Sequence, residues 1–187
     1  MPKRSPDPLN KDEVDGILKM AKKHDDFYYL VLLFLRKSGR RIGEAYKIKV
    51  KDIDFKKLTI ETVILKRKKK SMRPVKKIML IDEETAKLLQ KHIKKYGLSG
   101  DDYVFRLKSY RQIQRMPMIY AKQAGINKNV SLHSFRHYFI TQARAEGWNY
   151  EDIRRMTGHE LLQTIAEYDH SDVLAIEPKV RKFIKGV

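Results

Sequence analysis

The stretch that most restricts the fold is FYYLVLLFLRKSG, residues 27 to 39. Its apolar side chains fall on nearly every face of a helix, so a helix here has no side to turn to water. Such a helix has to be central, with other elements packed around it, and Ser38 and Gly39 mark its end. The preceding segment supplies one neighbour. Asn10 with Glu13 makes a capping-box pattern, and Val14, Ile17, Leu18 and Ala21 follow at helical spacing, which predicts a helix from residue 10 to about 24. Ahead of it, MPKRSPDPLNKDE carries three prolines and no apolar period, so residues 1–9 read as a linker or arm. The 187 residues suit one domain with a real core, spanning 10–187.

Further along, a short helix is expected over 43–48. LTIETVIL (58–65) is rich in β-branched residues and VKKIML (75–80) returns beside it, with the very basic KRKKKSMRP as the hairpin tip. Asp82 caps a helix through Leu88, Leu89, His92 and Ile93, and Ser109 opens another to about Ala124 with a bend at Pro117. The last third reads as short helices broken at Gly125, Gly147, Gly158 and Pro178. The sum is α+β: mainly helix, with a small antiparallel sheet.

Charge narrows the partner. Lys and Arg number 41 against 23 Asp and Glu, a formal net charge of +18, more than solubility needs. Nucleic acid and an anionic membrane are the two candidates, and no apolar run approaches the length of a membrane span. A cytoplasmic nucleic-acid protein leads. The absence of cysteine excludes disulfides, thiolate zinc sites and a Cys nucleophile. The charged fraction of 34 %, with the missing cysteine, leans towards a thermophilic source.

Four patches carry chemistry. In SGRRIGE, Arg40 and Arg41 follow a buried helix and a glycine, so at least one is anchored near the core, and Glu44 stands three residues after Arg41, within reach to fix its guanidinium. Alone, that is a helix-end arginine with a surface ion pair. At the hairpin tip, Arg67, Lys68, Lys69, Lys70 and Arg73 read as a solvated loop that grips phosphates, while Lys66 closes the strand and is held more rigidly. In LHSFRH, His133 and Arg136 share a helical face at a helix start, which favours an anion, above an aromatic stripe of Phe135, Tyr138 and Phe139. In TGHELLQTIAEYDH, His159 follows a glycine and Tyr168 sits in a polar stretch.

The order of these patches resembles the tyrosine recombinase (phage-integrase) family, whose segments run roughly TGxRxxE, a β-hairpin lysine, HxLRH and LGHxxxxTTxxYxH. VKDIDF and PLNKDEVDGIL fit as well, and the resemblance spans about residues 5 to 170. The departures are Ser38 for Thr, Arg40 for an apolar residue, Phe135 for Leu, Thr157 for Leu and Ile165 for Thr. The resemblance implies a mostly helical catalytic domain that cleaves and rejoins double-stranded DNA through a 3′-phosphotyrosyl intermediate, without metal, ATP or other cofactor. It makes Tyr168 the nucleophile, Arg41 and Arg136 the clamp on the non-bridging oxygens, and Lys66 the acid for the 5′ oxygen. Counting back from Arg73 favours Lys68 for that last role. His133 adds a hydrogen bond and takes the tyrosine proton, His159 bonds a phosphate oxygen, and Glu44 orients the pocket.

Family members carry a further amino-terminal domain, act as tetramers on DNA and exchange a C-terminal segment between protomers. Here 171–187 is the expected donor, with Val180, Phe183 and Ile184 as its docking stripe, and a free monomer is expected in solution. Rival readings are a type IB topoisomerase, a non-catalytic DNA-binding protein, and an RNA-binding protein on charge alone.

Overall fold

The computed structural model describes residues 8–64, 75–158 and 177–187. Helix α1 (Lys11–His24) starts on the expected reciprocal cap: the Glu13 amide donates to Asn10 Oδ1 at 2.9 Å and the Asn10 amide to Glu13 Oε2 at 2.8 Å. Its buried face is Val14, Ile17, Leu18 and Ala21. Leu9, just ahead of it, is buried too. Helix α2 (Asp26–Ser38) is the central rod that its sequence requires, buried from Leu30 through Ser38 and flanked by α1, α4 and α6. Even its two cations are enclosed: Arg36 reaches Asp15 at 2.5 Å, and Lys37 reaches Asp82 at 2.5 Å and Glu84 at 2.6 Å.

Gly39 ends α2 in the left-handed region, φ 61°. A Cβ there would meet the Phe139 ring at 2.5 Å, so conformation and space both demand glycine. Helix α3 (Ile42–Ala45) follows, shorter than the expected 43–48 because Tyr46 and Lys47 turn out of the helix. A 3-10 turn (Val50–Asp52) leads into a three-stranded antiparallel sheet ordered β1 (Ile53–Asp54), β2 (Thr59–Ile64), β3 (Val75–Leu80). Ile60 pairs with Met79, and both are fully buried. The first strand, two residues long, has no alternation for a sequence reading to catch.

Helix α4 (Glu83–Tyr96) is capped by Asp82, and α5 (Tyr110–Gln123) by Ser109. Pro117 lies inside α5, buried, and the helix runs on through it. Helix α6 (Leu132–Ala145) lies along α2, and α7 (Tyr150–Thr157) packs on α6. Helix α8 (Glu177–Gly186) contains Pro178 in its first turn, where the missing N–H costs nothing, so this proline opens a helix and does not break one. Val180, Phe183 and Ile184 are buried with Leu80, Phe139, Trp148 and Met156 of the same chain, in a second core beside the main one. Phe183 meets Phe139 and Trp148, each with ring centroids 5.0 Å apart.

Candidate active site

Two loops and one helix start build the site. Ser131 caps α6, accepting from the His133 amide at 3.2 Å while its own amide donates to Ser134 Oγ at 3.0 Å. That cap sets the rotation of the helix. It turns Phe135, Tyr138 and Phe139 into the core and leaves His133 and His137 exposed, their rings edge to face at 4.6 Å. Arg136 goes inward with the aromatics and is only 1 % exposed. Its Nη1 donates to the carbonyls of Gly39 at 2.7 Å and Thr157 at 2.8 Å, tying the C-terminal ends of α2 and α7 to α6. Its Nε and Nη2 are buried with no hydrogen-bond partner among the described residues. Half of the fork is committed to the protein, and half still needs an acceptor.

The other wall comes from the end of α2. Gly39 turns the chain so that Arg40 and Arg41 head in different directions: Arg40 is buried, while the Arg41 side chain is 48 % exposed. Arg41 Nη1 lies 3.4 Å from Glu44 Oε1, the pairing expected from their spacing. A cavity of about 390 Å³ is lined by Arg40, Arg41, Ile42 and Gly43 on one side, Ser131 to His133 with Arg136 on another, and Tyr110 and Gln114 of α5 on a third. The structure thus brings Arg41, His133 and Arg136 together, although 41 and 136 are far apart in the chain. A larger groove of about 980 Å³ runs between the β1–β2 turn and α8. Its lining mixes Lys51, Lys57 and Arg181 with Asp54, Glu61 and Glu177, which gives no one-sided field for an anion.

Electrostatics mark the smaller cavity as an anion site. Burial, and then the neighbouring Arg41, push the Arg136 guanidinium down to about 10, still charged at neutral pH. Burial, followed by His137, Arg136 and Arg41, holds His133 below the ordinary imidazole range, so the ring is neutral at pH 7. A neutral imidazole beside two guanidiniums can accept a proton while they hold an oxyanion. Among the described residues no group of three or more His, Cys, Asp or Glu is placed to hold a metal ion, and no helix is long and apolar enough to cross a membrane.

Lys66, Arg67, Lys68, Lys69, Lys70, Arg73, His159 and Tyr168 lie outside the described residues. Three lining residues escaped the sequence reading. Arg40 was legible only as one of two arginines near the core. Tyr110 and Gln114 open an ordinary capped helix, and only the packing of α5 beside Gly43 gives them a place at the site; the Tyr110 ring stands edge to face with Tyr46 at 5.5 Å.

Comparison with known proteins agrees with this architecture. Residues 8–174 match the phage integrase family, and the chain belongs to it. It is 28 % identical over 172 residues to a tyrosine recombinase of Pseudothermotoga lettingae, covering 90 % of this chain and 57 % of that protein. The crystal structure of XerA recombinase superposes with a TM-score of 0.67 at 27 % identity, over 97 % of this chain and 65 % of that one. The Tn1549 transposon integrase in complex with transposon right end DNA gives 0.67 at 19 % identity, over 96 % of this chain and 67 % of the other, a likeness of fold. The chain spans a little over half the length of the curated relatives it matches.

Proposed function

We propose that this chain is the catalytic domain of a site-specific DNA recombinase that breaks and rejoins duplex DNA through a phosphotyrosyl bond. The observation that carries the reading is the single cavity shared by Arg41, Arg136 and a neutral His133. Arg41 and the free half of Arg136 hold the non-bridging oxygens of the scissile phosphate, where charge grows in the transition state. Tyr168 attacks phosphorus, His133 takes the phenolic proton, and the P–O5′ bond breaks as Lys66 (or Lys68) protonates the departing oxygen. Reversal by another 5′-hydroxyl reseals the strand. The phosphotyrosine conserves the energy of the broken linkage, so no nucleotide cofactor enters. Glu44 orients Arg41, His159 bonds a phosphate oxygen, and Arg67, Lys69, Lys70 and Arg73 grip the DNA backbone.

The reaction is carried out in the cytoplasm by a tetramer assembled on DNA from chains that are monomeric in solution, with 171–187 exchanged between neighbours. A stable tetramer by light scattering without DNA would argue against that assembly. The chemistry is tested with a duplex nicked beside the attack site, which traps the covalent intermediate. The expected result is a protein–DNA adduct that Tyr168→Phe abolishes. Tight binding with no adduct would favour a non-catalytic DNA-binding protein, and relaxation of supercoils without site preference a type IB topoisomerase.

A further inference from the structure

Arg40 occupies a place where the family motif carries an apolar residue, and the structure buries its side chain to 2 % exposure. Nε, Nη1 and Nη2 are all shielded from solvent, and none makes a hydrogen bond among the described residues. Burying a guanidinium in that state is costly, far more so than the apolar side chain the motif leads one to expect. Burial, the largest effect, lowers its proton affinity and Glu44 offsets part of that; arginine is basic enough to stay a cation in proteins.

Among the described residues the one nearby charge of opposite sign is Glu44. Arg40 Nη1 stands 3.7 Å from Oε2, an atom that is itself buried and without a hydrogen-bond partner. Arg41 Nη1 stands 3.4 Å from the other oxygen, Oε1. One carboxylate is thus shared between a guanidinium beneath the cavity and another at its mouth. With an apolar residue at position 40, Glu44 would face the cavity cations alone and cancel much of the field of Arg41.

We propose that Arg40 is a positioning residue that acts through Glu44: it is the counter-charge of that carboxylate, and it leaves the Arg41 guanidinium free to serve the phosphate. Arg40, Arg41 and Arg136 against Glu44 give the described part of the site a fixed balance of two positive charges. A phosphodiester carries one negative charge, and further negative charge builds on its oxygens as the phenol gives up its proton during attack. The balance therefore matches the transition state better than the ground state, which is where added charge accelerates a reaction.

The inference rests on the phosphoryl-transfer reading above, and a double-mutant cycle on the full chain separates the two. Arg40→Met, Glu44→Gln and the pair are compared by single-turnover cleavage of the nicked duplex, duplex affinity, inorganic phosphate affinity and thermal midpoint. Arg40→Met should slow cleavage about tenfold and weaken inorganic phosphate binding several-fold, with duplex affinity within about twofold. Its melting midpoint should fall, because removing one partner leaves Glu44 Oε2 buried and uncompensated, and the double variant, which replaces the whole pair, should recover part of that loss. Arg40→Lys should recover most of the rate. In the Glu44→Gln background the slowing by Arg40→Met should shrink to about twofold. Equal slowing in both backgrounds would overturn the inference, as would wild-type cleavage by Arg40→Met. If the unmutated full chain does not cleave DNA, the recombinase reading fails on its own. The phosphate arm then still decides the role of Arg40, since unchanged phosphate affinity in Arg40→Met would refute it.

Discussion

Arg136 and Arg41 are placed to hold the same anion, yet their side chains live in different surroundings, and substitution should expose the difference. Arg41→Ala removes a half-exposed group, so cleavage should fall about a hundredfold or more while the thermal midpoint barely moves. Arg136→Ala should match that loss and also destabilise the fold by about 3 kcal/mol in urea titration, because the Gly39 and Thr157 carbonyls lose this donor in a buried setting. The histidines give a pH prediction. His133 sits below its ordinary value, so a step that needs its neutral ring should hold its rate as pH falls through about 6.5 and decline only below that. His92 is buried, and its Nε2 must carry a proton to donate to the Val104 carbonyl at 2.9 Å. Burial first, with Lys95 adding to it, depresses His92 despite that bond. The unfolded chain therefore binds a proton more readily, and this stability is fully present above about pH 6.5 and lost as pH falls through the lower folded value. His92→Gln should flatten the fall in thermal midpoint between pH 7.5 and 5. The sequence showed Arg41, Glu44, His133 and Arg136 through their spacing. It did not show that Arg136 is as buried as the phenylalanines beside it, since helical periodicity places a residue on a face and says nothing of what lies beyond that face.

Among elements, the bend between α2 and α3 sets the site, because Arg40 and Arg41 leave it in different directions. Gly39→Ala meets both a left-handed backbone and the Phe139 ring, so the variant should be severely destabilised or fail to fold; a soluble protein with an unchanged melting midpoint would refute this account of the turn. Helix α8 anchors the second core. Phe183→Ala should cost about 3 kcal/mol by denaturant unfolding, because its ring is enclosed by Phe139 and Trp148. Long, periodic elements were legible: α1 with its cap, the all-apolar α2, α4 behind Asp82, α5 behind Ser109, and the pairing of β2 with β3. The pieces that were not legible are short or owe their shape to partners. Strand β1 exists because β2 pairs with it, and α3 stops early where Tyr46 turns so that its hydroxyl donates to the Lys108 carbonyl at 2.8 Å.

For the whole molecule, the +18 balance sets the field that the proposed DNA partner would meet. Binding should weaken steeply with salt, with a log–log slope of about −0.9 for each phosphate neutralised, so six contacts give about −5. A slope near zero in a filter-binding or anisotropy titration would mean that the basic surface is not used. Charge of this kind was legible from composition alone; the direction in which the folded chain turns it was not, because that depends on how α2, α5 and α6 assemble. The tie from Arg136 to the ends of two helices has a last consequence. A guanidinium riveted by one nitrogen to two peptide carbonyls cannot swing, so this wall of the cavity is cast before any ligand arrives. Adjustment of the pair to a bound anion then falls to Arg41, half exposed and 3.4 Å from Glu44.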